Sequence, residues 1–163
     1  MKDSRQSLPG NDGMPAATRR VLIAEDDPSD AFLLQRAFNA AGVPASLHFV
    51  RDGQEAIDYL GGQSNYADRV TYPLPDLLLL DLKMPRLNGF DVLEWLRQQP
   101  GLKRLLVTIL TSSDQARDID RAYDLGANSY LLKPHGTNEL AELVQRVQRY
   151  WLDLNQRPAT LNE

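Results

Sequence analysis

The fold is decided by the stretch at residues 76–97, DLLLLDLKMPRLNGFDVLEWLR. Its first half contains a short run, Leu77–Leu80, that is apolar on both faces and is typical of a strand buried inside a parallel sheet. Its second half begins at Asn88, a favourable helix N-cap, and continues with apolar residues at helical spacing in Val92–Leu96. The stretch therefore predicts a buried strand, a polar turn that begins at Asp81, and an amphipathic helix.

The same alternation of apolar runs and helical patterns continues along the chain. Further strands are predicted by the apolar runs at residues 21–24, 47–50, 105–110 and 129–132. A helical pattern follows each strand, so a β–α unit is repeated five times. Right-handed crossovers turn that order into an α/β fold, a doubly wound (βα)5 flavodoxin-like parallel sheet with strand order 2-1-3-4-5. A ligand in such a fold lies outside the carboxyl ends of the strands.

Capping residues predict where the helices begin. Asp27 precedes a proline and is predicted to cap the first helix, while Asp52 and Glu55 have the spacing of a capping box before the second. Ser112 and Gln115 are predicted to form the cap of the fourth helix. The last helix is predicted from apolar residues at helical spacing, which are Leu140, Leu143, Val144, Val147, Trp151 and Leu154.

One domain is predicted at residues 19–154, because a chain of 163 residues has room for a single domain with short extensions. Residues 1–18 are polar and show no periodicity, which predicts a disordered N-terminal arm. Residues 155–163 are predicted to form a short polar C-terminal tail.

The composition excludes several classes of protein and site. A formal net charge of -4 and a pI of about 5.2 argue against a direct nucleic-acid partner, which requires a basic face. The chain has no cysteine, so disulfides, thiolate metal sites and cysteine nucleophiles are excluded. No apolar run is long enough to cross a bilayer, so no membrane association is expected and a cytoplasmic location is the default expectation.

Acidic residues follow two of the predicted strands. Glu25, Asp26 and Asp27 follow the first strand, and Asp81 follows the third. These strands are neighbours in the order 2-1-3-4-5, so their carboxylates are expected to converge at one edge of the sheet. Carboxylates this close repel one another unless a cation neutralises them, and an all-oxygen site of this kind fits Mg²⁺. Asp27 stands before Pro28 and is interpreted as a helix cap rather than a ligand.

A hydroxyl and an ammonium group follow the fourth and fifth strands. Thr111 and Lys133 are each compatible with a structural role, which for Lys133 would be a simple Lys–Asp ion pair. The complete set favours phosphoryl transfer, because a carboxylate can attack phosphorus and the cationic and hydroxyl groups can neutralise the phosphoryl oxygens. His48 lies in a weak strand and is interpreted as structural, whereas His135 is adjacent to the site and its role is left open.

Four stretches with this spacing resemble the receiver domains of two-component response regulators. They are VLIAEDD at residues 21–27, DLLLLDLKMPRLNGFDVLEWLR at 76–97, TILTSSD at 108–114 and GANSYLLKP at 126–134. The resemblance extends over roughly residues 19–152, and the combination is far more specific than any single stretch.

The resemblance implies a role for each residue of the predicted site. Asp81 is implied to be the phosphoacceptor, and Mg²⁺ is implied to be bound by Glu25, Asp26, Asp81 and the backbone carbonyl of Lys83. The remaining matched positions imply that Thr111 is the switch hydroxyl, Lys133 the phosphate-contacting lysine, Tyr130 the switch aromatic and Lys133–Pro134 a cis peptide.

Some features differ from the simplest receivers. His135 replaces the aromatic or aliphatic residue that many receivers carry after the Lys-Pro pair, and Lys83 and Ser113 occupy variable positions that tune the lifetime of the phosphoryl group. The loop at residues 61–75 is long. This loop and the RYWLDL sequence at residues 149–154 are similar to standalone regulators, including those paired with bacterial phytochrome-type sensor kinases.

Together these features predict a single-domain response regulator without a DNA-binding output domain. It would accept a phosphoryl group on Asp81 from a sensor histidine kinase and signal to an unidentified downstream protein through phosphorylation-dependent interactions. The switch residues imply that phosphorylation moves Thr111 toward the phosphoryl group and Tyr130 inward, which would alter the face formed by the fourth helix, fifth strand and fifth helix. A homodimer through that face is left open.

Two other functions fit parts of the sequence. A degenerate receiver could act as a constitutive adaptor, but the complete set of acidic, hydroxyl and lysine residues opposes that reading. A phosphatase that uses an aspartyl phosphate would need a second carboxylate two residues after the nucleophile, where this chain has Lys83. An enzyme acting on an external substrate is therefore not expected.

Overall fold

Five parallel strands form one sheet in the computed structural model, which describes residues 18–42 and 44–159. The strands are β1 (Arg19–Ala24), β2 (Ala45–Val50), β3 (Leu77–Leu80), β4 (Leu106–Thr111) and β5 (Ser129–Leu132). Their order across the sheet is β2-β1-β3-β4-β5, which confirms the predicted doubly wound, flavodoxin-like α/β fold.

Four helices connect consecutive strands, a fifth follows the last strand, and together they cover both faces of the sheet. They are α1 (Pro28–Ala40), α2 (Gly53–Gly61), α3 (Gly89–Gln98), α4 (Ala116–Asp124) and α5 (Thr137–Val147), with a 3₁₀ turn at Ser64–Tyr66 and a π-helical segment, Gln148–Leu154, that continues α5. None of the helices in the described ranges is long and apolar enough to cross a membrane. The predicted arm, apart from Thr18, and residues 160–163 of the predicted tail lie outside the described residues.

The central strands are buried on both faces, as their apolar runs predict. Leu22 and Leu78 pack with residues of α2 and α3, whereas Ile23 and Leu79 pack with residues of α1 and α5 on the other side of the sheet. Each buried leucine contributes about 1.5–3 kcal/mol to the hydrophobic stabilisation of the fold. The sheet is therefore a firm frame for the loops at its carboxyl edge.

The register of the sheet brings the two acidic segments together. Ala24 at the end of β1 pairs with Leu80 at the end of β3, so Glu25 and Asp81 leave the sheet side by side. The Asp81 N–H donates to the Ala24 carbonyl at 3.1 Å. A Cβ atom at Gly89 would lie 2.4 Å from the Asp81 carbonyl oxygen, so this glycine allows α3 to begin directly against the site.

The predicted caps are correct for the first helix and partly correct for the second. Asp27 caps α1 and accepts hydrogen bonds from two backbone N–H groups of the first turn, at 2.7 and 3.2 Å. Asp52 caps α2 by accepting from the Glu55 N–H at 2.8 Å. The Glu55 side chain accepts from the Arg51 N–H at 2.9 Å rather than from the Asp52 N–H, so the capping box is incomplete.

The predicted cap of α4 is correct for Gln115 and wrong for Ser112. Gln115 is the N-cap residue but its side chain makes no capping hydrogen bond, and Ser112 is exposed. Ser113 is buried instead, and its hydroxyl accepts from the Gln115 N–H at 3.4 Å and donates to Asp118 at 2.6 Å. Alternate residues point to opposite sides as the chain leaves β4, which turns Ser112 outward and Ser113 inward.

The inward face of the last helix also differs from the prediction. The predicted core residue Leu154 is 55% exposed, and Trp151 is only partly buried. Gln148 and Leu152 take the inward positions, at 0% and 3% exposure. The reason is the π-helical segment, whose wider turns pair residue i with i+5 and so rotate the face that a regular α-helix would bury.

Gln148 carries an unsatisfied amide into the core, so we expect its replacement by Met to stabilise the protein. Neither its side-chain nitrogen nor its oxygen has a hydrogen-bond partner within the described residues. An unpaired buried polar group costs about 1–3 kcal/mol, and Met has a similar shape without that cost. Gln148→Met should raise the free energy of unfolding by about 1 kcal/mol in urea titrations. The exposed neighbour variant Gln145→Met should leave it unchanged; a loss of stability in Gln148→Met would contradict this account.

Candidate functional site

Three carboxylates meet at the carboxyl edge of the sheet. Glu25, Asp26 and Asp81 each offer an oxygen atom, and these oxygens lie within 4.8 Å of one another. Glu25 and Asp81 are 4% and 6% exposed, whereas Asp26 is exposed to solvent. Such a group of like charges favours binding of a cation, and its all-oxygen donor set fits Mg²⁺. The residues that the sequence predicts as acidic metal ligands are therefore brought together.

Lys133 follows β5 and reaches into this acidic group. Its Nζ atom lies 2.5 Å from Glu25 Oε2, 2.8 Å from Asp81 Oδ2 and 3.1 Å from Asp30 Oδ2. Burial lowers the pKa of Lys133, but the hydrogen bonds to Asp81 and Glu25 outweigh burial and raise it above the usual value. The ammonium group therefore stays charged and partly neutralises the carboxylates. Asp30 is a contact that the sequence reasoning did not identify.

Glu25 is the most strongly perturbed of the acidic residues. Burial raises the pKa of Glu25 to about 7, against the lowering effects of Lys133 and of the Asp27 N–H. The Asp27 N–H donates to Glu25 Oε1 at 3.0 Å, while the other carboxylate oxygen contacts Lys133. Glu25 is thus held between the start of α1 and Lys133, where a bound cation would favour its charged form.

Asp81 is anchored at both carboxylate oxygens. Oδ2 accepts from Lys133, and Oδ1 accepts from the Lys83 N–H at 3.2 Å. The Lys83 side chain is exposed, so this residue meets the site through its backbone. The arrangement presents one buried carboxylate with a fixed orientation beside two others, which suits a nucleophile next to a metal site.

The two predicted switch residues are linked through Ser113. Thr111 is fully buried, and its Oγ accepts from the Ser113 N–H at 3.4 Å. The Tyr130 hydroxyl donates to the Ser113 carbonyl at 2.8 Å. Burial raises the pKa of Tyr130, so its hydroxyl remains a neutral donor. Tyr130 is partly buried and packs against the core.

The histidines and the Lys-Pro pair complete the set of predicted positions. His48 lies on β2 in an aromatic cluster, with its ring centroid 5.6 Å from that of Tyr59, as its structural interpretation expects. His135 is exposed and lines a groove together with Lys133. The expected cis peptide at Lys133–Pro134 is wrong, since the described residues contain no cis peptide. Trans is the lower-energy form of such a bond by about 0.5–1 kcal/mol.

A family model matches most of the chain. The model for the response regulator receiver domain matches residues 21–145. Among curated relatives, the probable methanogenesis regulatory protein FilR2 of Methanothrix harundinacea (strain 6Ac) is 36% identical over 143 residues, which cover 85% of this chain and 86% of that protein. Response regulator Rcp1 of Synechocystis sp. (strain ATCC 27184 / PCC 6803 / Kazusa) is 34% identical over 139 residues, which cover 85% of this chain and 92% of that protein.

Solved structures show the same similarity in three dimensions. Response regulator RPA3017, described in red light signaling of R. palustris, superposes with a TM-score of 0.83 at 38% identity, covering 87% of this chain and 99% of that one. The phosphorylated cyanobacterial phytochrome response regulator RcpA superposes with a TM-score of 0.82 at 35% identity, covering 88% of this chain and 100% of that one. The Mn(2+)-bound form of Rcp1 superposes with a TM-score of 0.78 at 34% identity, covering 86% of this chain and 99% of that one.

Proposed function

The chain belongs to the response regulator receiver family, and on this basis we propose that it accepts a phosphoryl group on Asp81 from a sensor histidine kinase. The proposal rests above all on one observation, the convergence of Glu25, Asp26 and Asp81 with Lys133 at one edge of the sheet. The chain is a signalling protein rather than a metabolic enzyme. The proposed receiver comprises residues 19–154, between an N-terminal arm and a C-terminal tail.

The proposed transfer forms one bond and breaks one bond. A carboxylate oxygen of Asp81 attacks the phosphorus atom of a phosphohistidine on the kinase, and the P–O bond forms as the P–N bond breaks. The imidazole leaves with the electron pair of that bond, and Asp81 becomes an acyl phosphate. The Lys83 N–H and Lys133 fix the orientation of the attacking carboxylate.

The surrounding groups neutralise the charge of the transferred phosphoryl group. Lys133 can contact a phosphoryl oxygen as a point charge, and the Thr111 hydroxyl can donate to another. Receiver domains bind Mg²⁺ at an acidic pocket, and Glu25, Asp26 and Asp81 with the Lys83 carbonyl would hold it in this chain. Bound there, Mg²⁺ supplies positive charge against the phosphoryl oxygens. The complete set of groups opposes a constitutive adaptor, and Lys83 opposes a phosphatase.

Two protein partners are proposed, a sensor kinase and a second copy of this chain. Several relatives are described as phytochrome response regulators, which supports a phytochrome-type kinase as the phosphodonor. A homodimer through the face formed by α4, β5 and α5 is a further proposal, supported by the exposure of Tyr123, Leu132 and Tyr150 at 49%, 49% and 54%. A cytoplasmic location is proposed because the kinase domains of such sensors transfer phosphoryl groups there.

The proposed function is tested by intact-mass spectrometry after incubation with acetyl phosphate and Mg²⁺. One phosphoryl mass should be added, and it should be lost on treatment with hydroxylamine, which cleaves acyl phosphates. The addition should not occur when the metal is removed with EDTA. A stable phosphoryl mass that resists hydroxylamine, or no addition at all, would refute the proposal.

Asp26→Asn is expected to weaken Mg²⁺ binding about tenfold or more, because a hard cation loses one of its charged oxygen ligands. The same change should slightly stabilise the metal-free protein, since it relieves repulsion among the three carboxylates. Isothermal titration calorimetry with Mg²⁺ and thermal melts in EDTA measure the two effects. Glu94→Gln, which removes an exposed charge on α3, is the matched control. Equal Mg²⁺ affinity in Asp26→Asn and wild type would exclude Asp26 as a ligand.

A further inference from the structure

Ser113 connects the edge of the site to two other parts of the fold. Its hydroxyl donates to Asp118 Oδ2 in the first turn of α4 at 2.6 Å. Its carbonyl accepts from the Tyr130 hydroxyl at 2.8 Å, and its N–H donates to Thr111 Oγ at 3.4 Å. The residue is 5% exposed, so these bonds are made largely away from solvent. Ser113 therefore joins Thr111, Tyr130 and Asp118 through three different groups of one residue.

From these contacts we propose that the hydrogen bond between Ser113 and Asp118 is a link that positions the Thr111 hydroxyl and couples it to α4. The inference rests on the proposed function of Asp81. Asp118 is a positioning residue in this scheme, since it acts on the site only through Ser113. We call the Ser113–Asp118 pair the α4 link.

The first step concerns the orientation of Thr111. Because Thr111 Oγ accepts from the Ser113 N–H, one of its lone pairs is occupied and its own hydrogen remains free to donate. A hydroxyl held in this way is ready to donate to an anionic oxygen on Asp81. A shift of the Ser113 backbone would release Thr111 and remove that orientation.

The second step concerns α4, which has few other attachments at its start. Ala122 is the one buried residue of this helix, and the Gln115 cap makes no side-chain hydrogen bond. The α4 link lies in the first turn and fixes the helix start to the loop after β4. The Arg121 Cζ atom lies 4.2 Å from the centroid of the Phe90 ring, but this contact is in the second half of α4. The α4 link is therefore expected to determine the position of the first turn of α4 relative to the loop after β4.

The third step gives the direction of the effect. The Tyr130 hydroxyl donates to the Ser113 carbonyl while the Ser113 N–H donates to Thr111, so Ser113 is held from two sides in the arrangement that orients Thr111. The α4 link is made in the same arrangement, so it stabilises the state that receives the phosphoryl group. Breaking the link should favour other loop arrangements and weaken binding of a phosphoryl mimic.

The link is tested by calorimetric titration of beryllofluoride, an acyl-phosphate mimic, in the presence of Mg²⁺. Ser113→Ala and Asp118→Ala should each weaken its binding about fivefold. The double variant should also lose about fivefold rather than the product of about 25-fold, because both single changes remove the α4 link. Ser113→Ala also removes the 3.4 Å bond from the Gln115 N–H, but Gln115 is exposed and this group can bond to water instead. Hydrogen exchange in the first turn of α4 should accelerate equally in all three variants when the mimic is bound.

Conservative and neighbouring variants separate the link from charge and folding effects. Asp118→Asn keeps an acceptor oxygen and should bind the mimic like wild type. Asp120→Ala on the same helix and Ser112→Ala beside Ser113 are exposed and should also bind like wild type. If Ser113→Ala fails to fold in thermal melts, the comparison of Asp118→Ala with Asp118→Asn decides the question.

Several results would overturn the link. Additive losses in the double variant, tighter binding in either alanine variant, or equal losses in Asp118→Asn and Asp118→Ala would each refute it. Such results leave the proposed function intact as long as wild type binds the mimic and Asp81→Asn does not. If wild type does not bind beryllofluoride, the proposed function fails and the link fails with it.

Discussion

Asp81→Asn is expected to reduce the mass added by acetyl phosphate and Mg²⁺ from near-complete modification to an undetectable level. The amide is nearly isosteric with the carboxylate but is a poor nucleophile, so the P–O bond cannot form at this position. Asp81 is only 6% exposed and is oriented by Lys133 and the Lys83 N–H, so no neighbouring side chain can take its exact place. Intact-mass spectrometry measures the modification, and circular dichroism checks that the variant is folded.

The matched control is Asp124→Asn, which changes an exposed aspartate in the last turn of α4. This variant should be modified to the same extent as wild type. Peptide mapping of borohydride-reduced wild-type protein should place the modification within residues 77–97. Continued single modification of Asp81→Asn, mapped to another residue, would show that the phosphoacceptor assignment is wrong.

The sheet and the acidic site could be predicted from the sequence because both depend on local patterns. The run Leu77–Leu80 is apolar at every position, which is typical of a strand covered on both faces. The strand order then brings Glu25 and Asp81 to one edge without any knowledge of side-chain packing. Lys133 follows the same rule, since it stands directly after β5.

The inward face of the last helix was predicted wrongly because its geometry departs from the α-helical repeat. Predicting Leu154 as a core residue assumes that α5 keeps 3.6 residues per turn to its end. The π-helical segment changes that spacing, which buries Gln148 and exposes Leu154. The residue pattern does not indicate the π-helical turns. Glutamine is usually exposed, so a helical pattern predicts that Gln148 lies on the surface.

Two side-chain contacts that support the site could not be predicted from the sequence. Asp30 contacts Lys133 across 103 residues of chain, and only the packing of α1 beside the end of β5 creates that pair. Ser113 and Asp118 are five residues apart, and their bond depends on which of two adjacent serines turns inward. The convergence of the acidic side chains with Lys133 was therefore predictable from residue types and strand order, whereas the supporting contacts required coordinates.

Lys133→Met is expected to have two separable effects, on stability and on phosphorylation. The variant leaves Glu25 and Asp81 buried beside each other without their ammonium partner. Breaking a buried ion pair costs about 3–5 kcal/mol, and partial solvent access at Lys133 reduces this to about 2 kcal/mol. Urea titration in EDTA should show that loss, and saturating Mg²⁺ should recover part of it, because the cation replaces the missing positive charge.

The second effect distinguishes a catalytic role of Lys133 from a purely structural ion pair. A charged donor that contacts the phosphoryl oxygens during transfer contributes about 100-fold or more to the rate, so phosphorylation by acetyl phosphate should slow by that factor even in saturating Mg²⁺. Lys103→Met, which removes an exposed lysine outside the site, should change neither rate nor stability. If Lys133→Met loses stability in EDTA but is phosphorylated within about twofold of the wild-type rate, Lys133 serves only to neutralise Glu25 and Asp81. Slow phosphorylation in a variant that Mg²⁺ has restored to near wild-type stability would instead assign the rate effect to a contact made with the phosphoryl group itself.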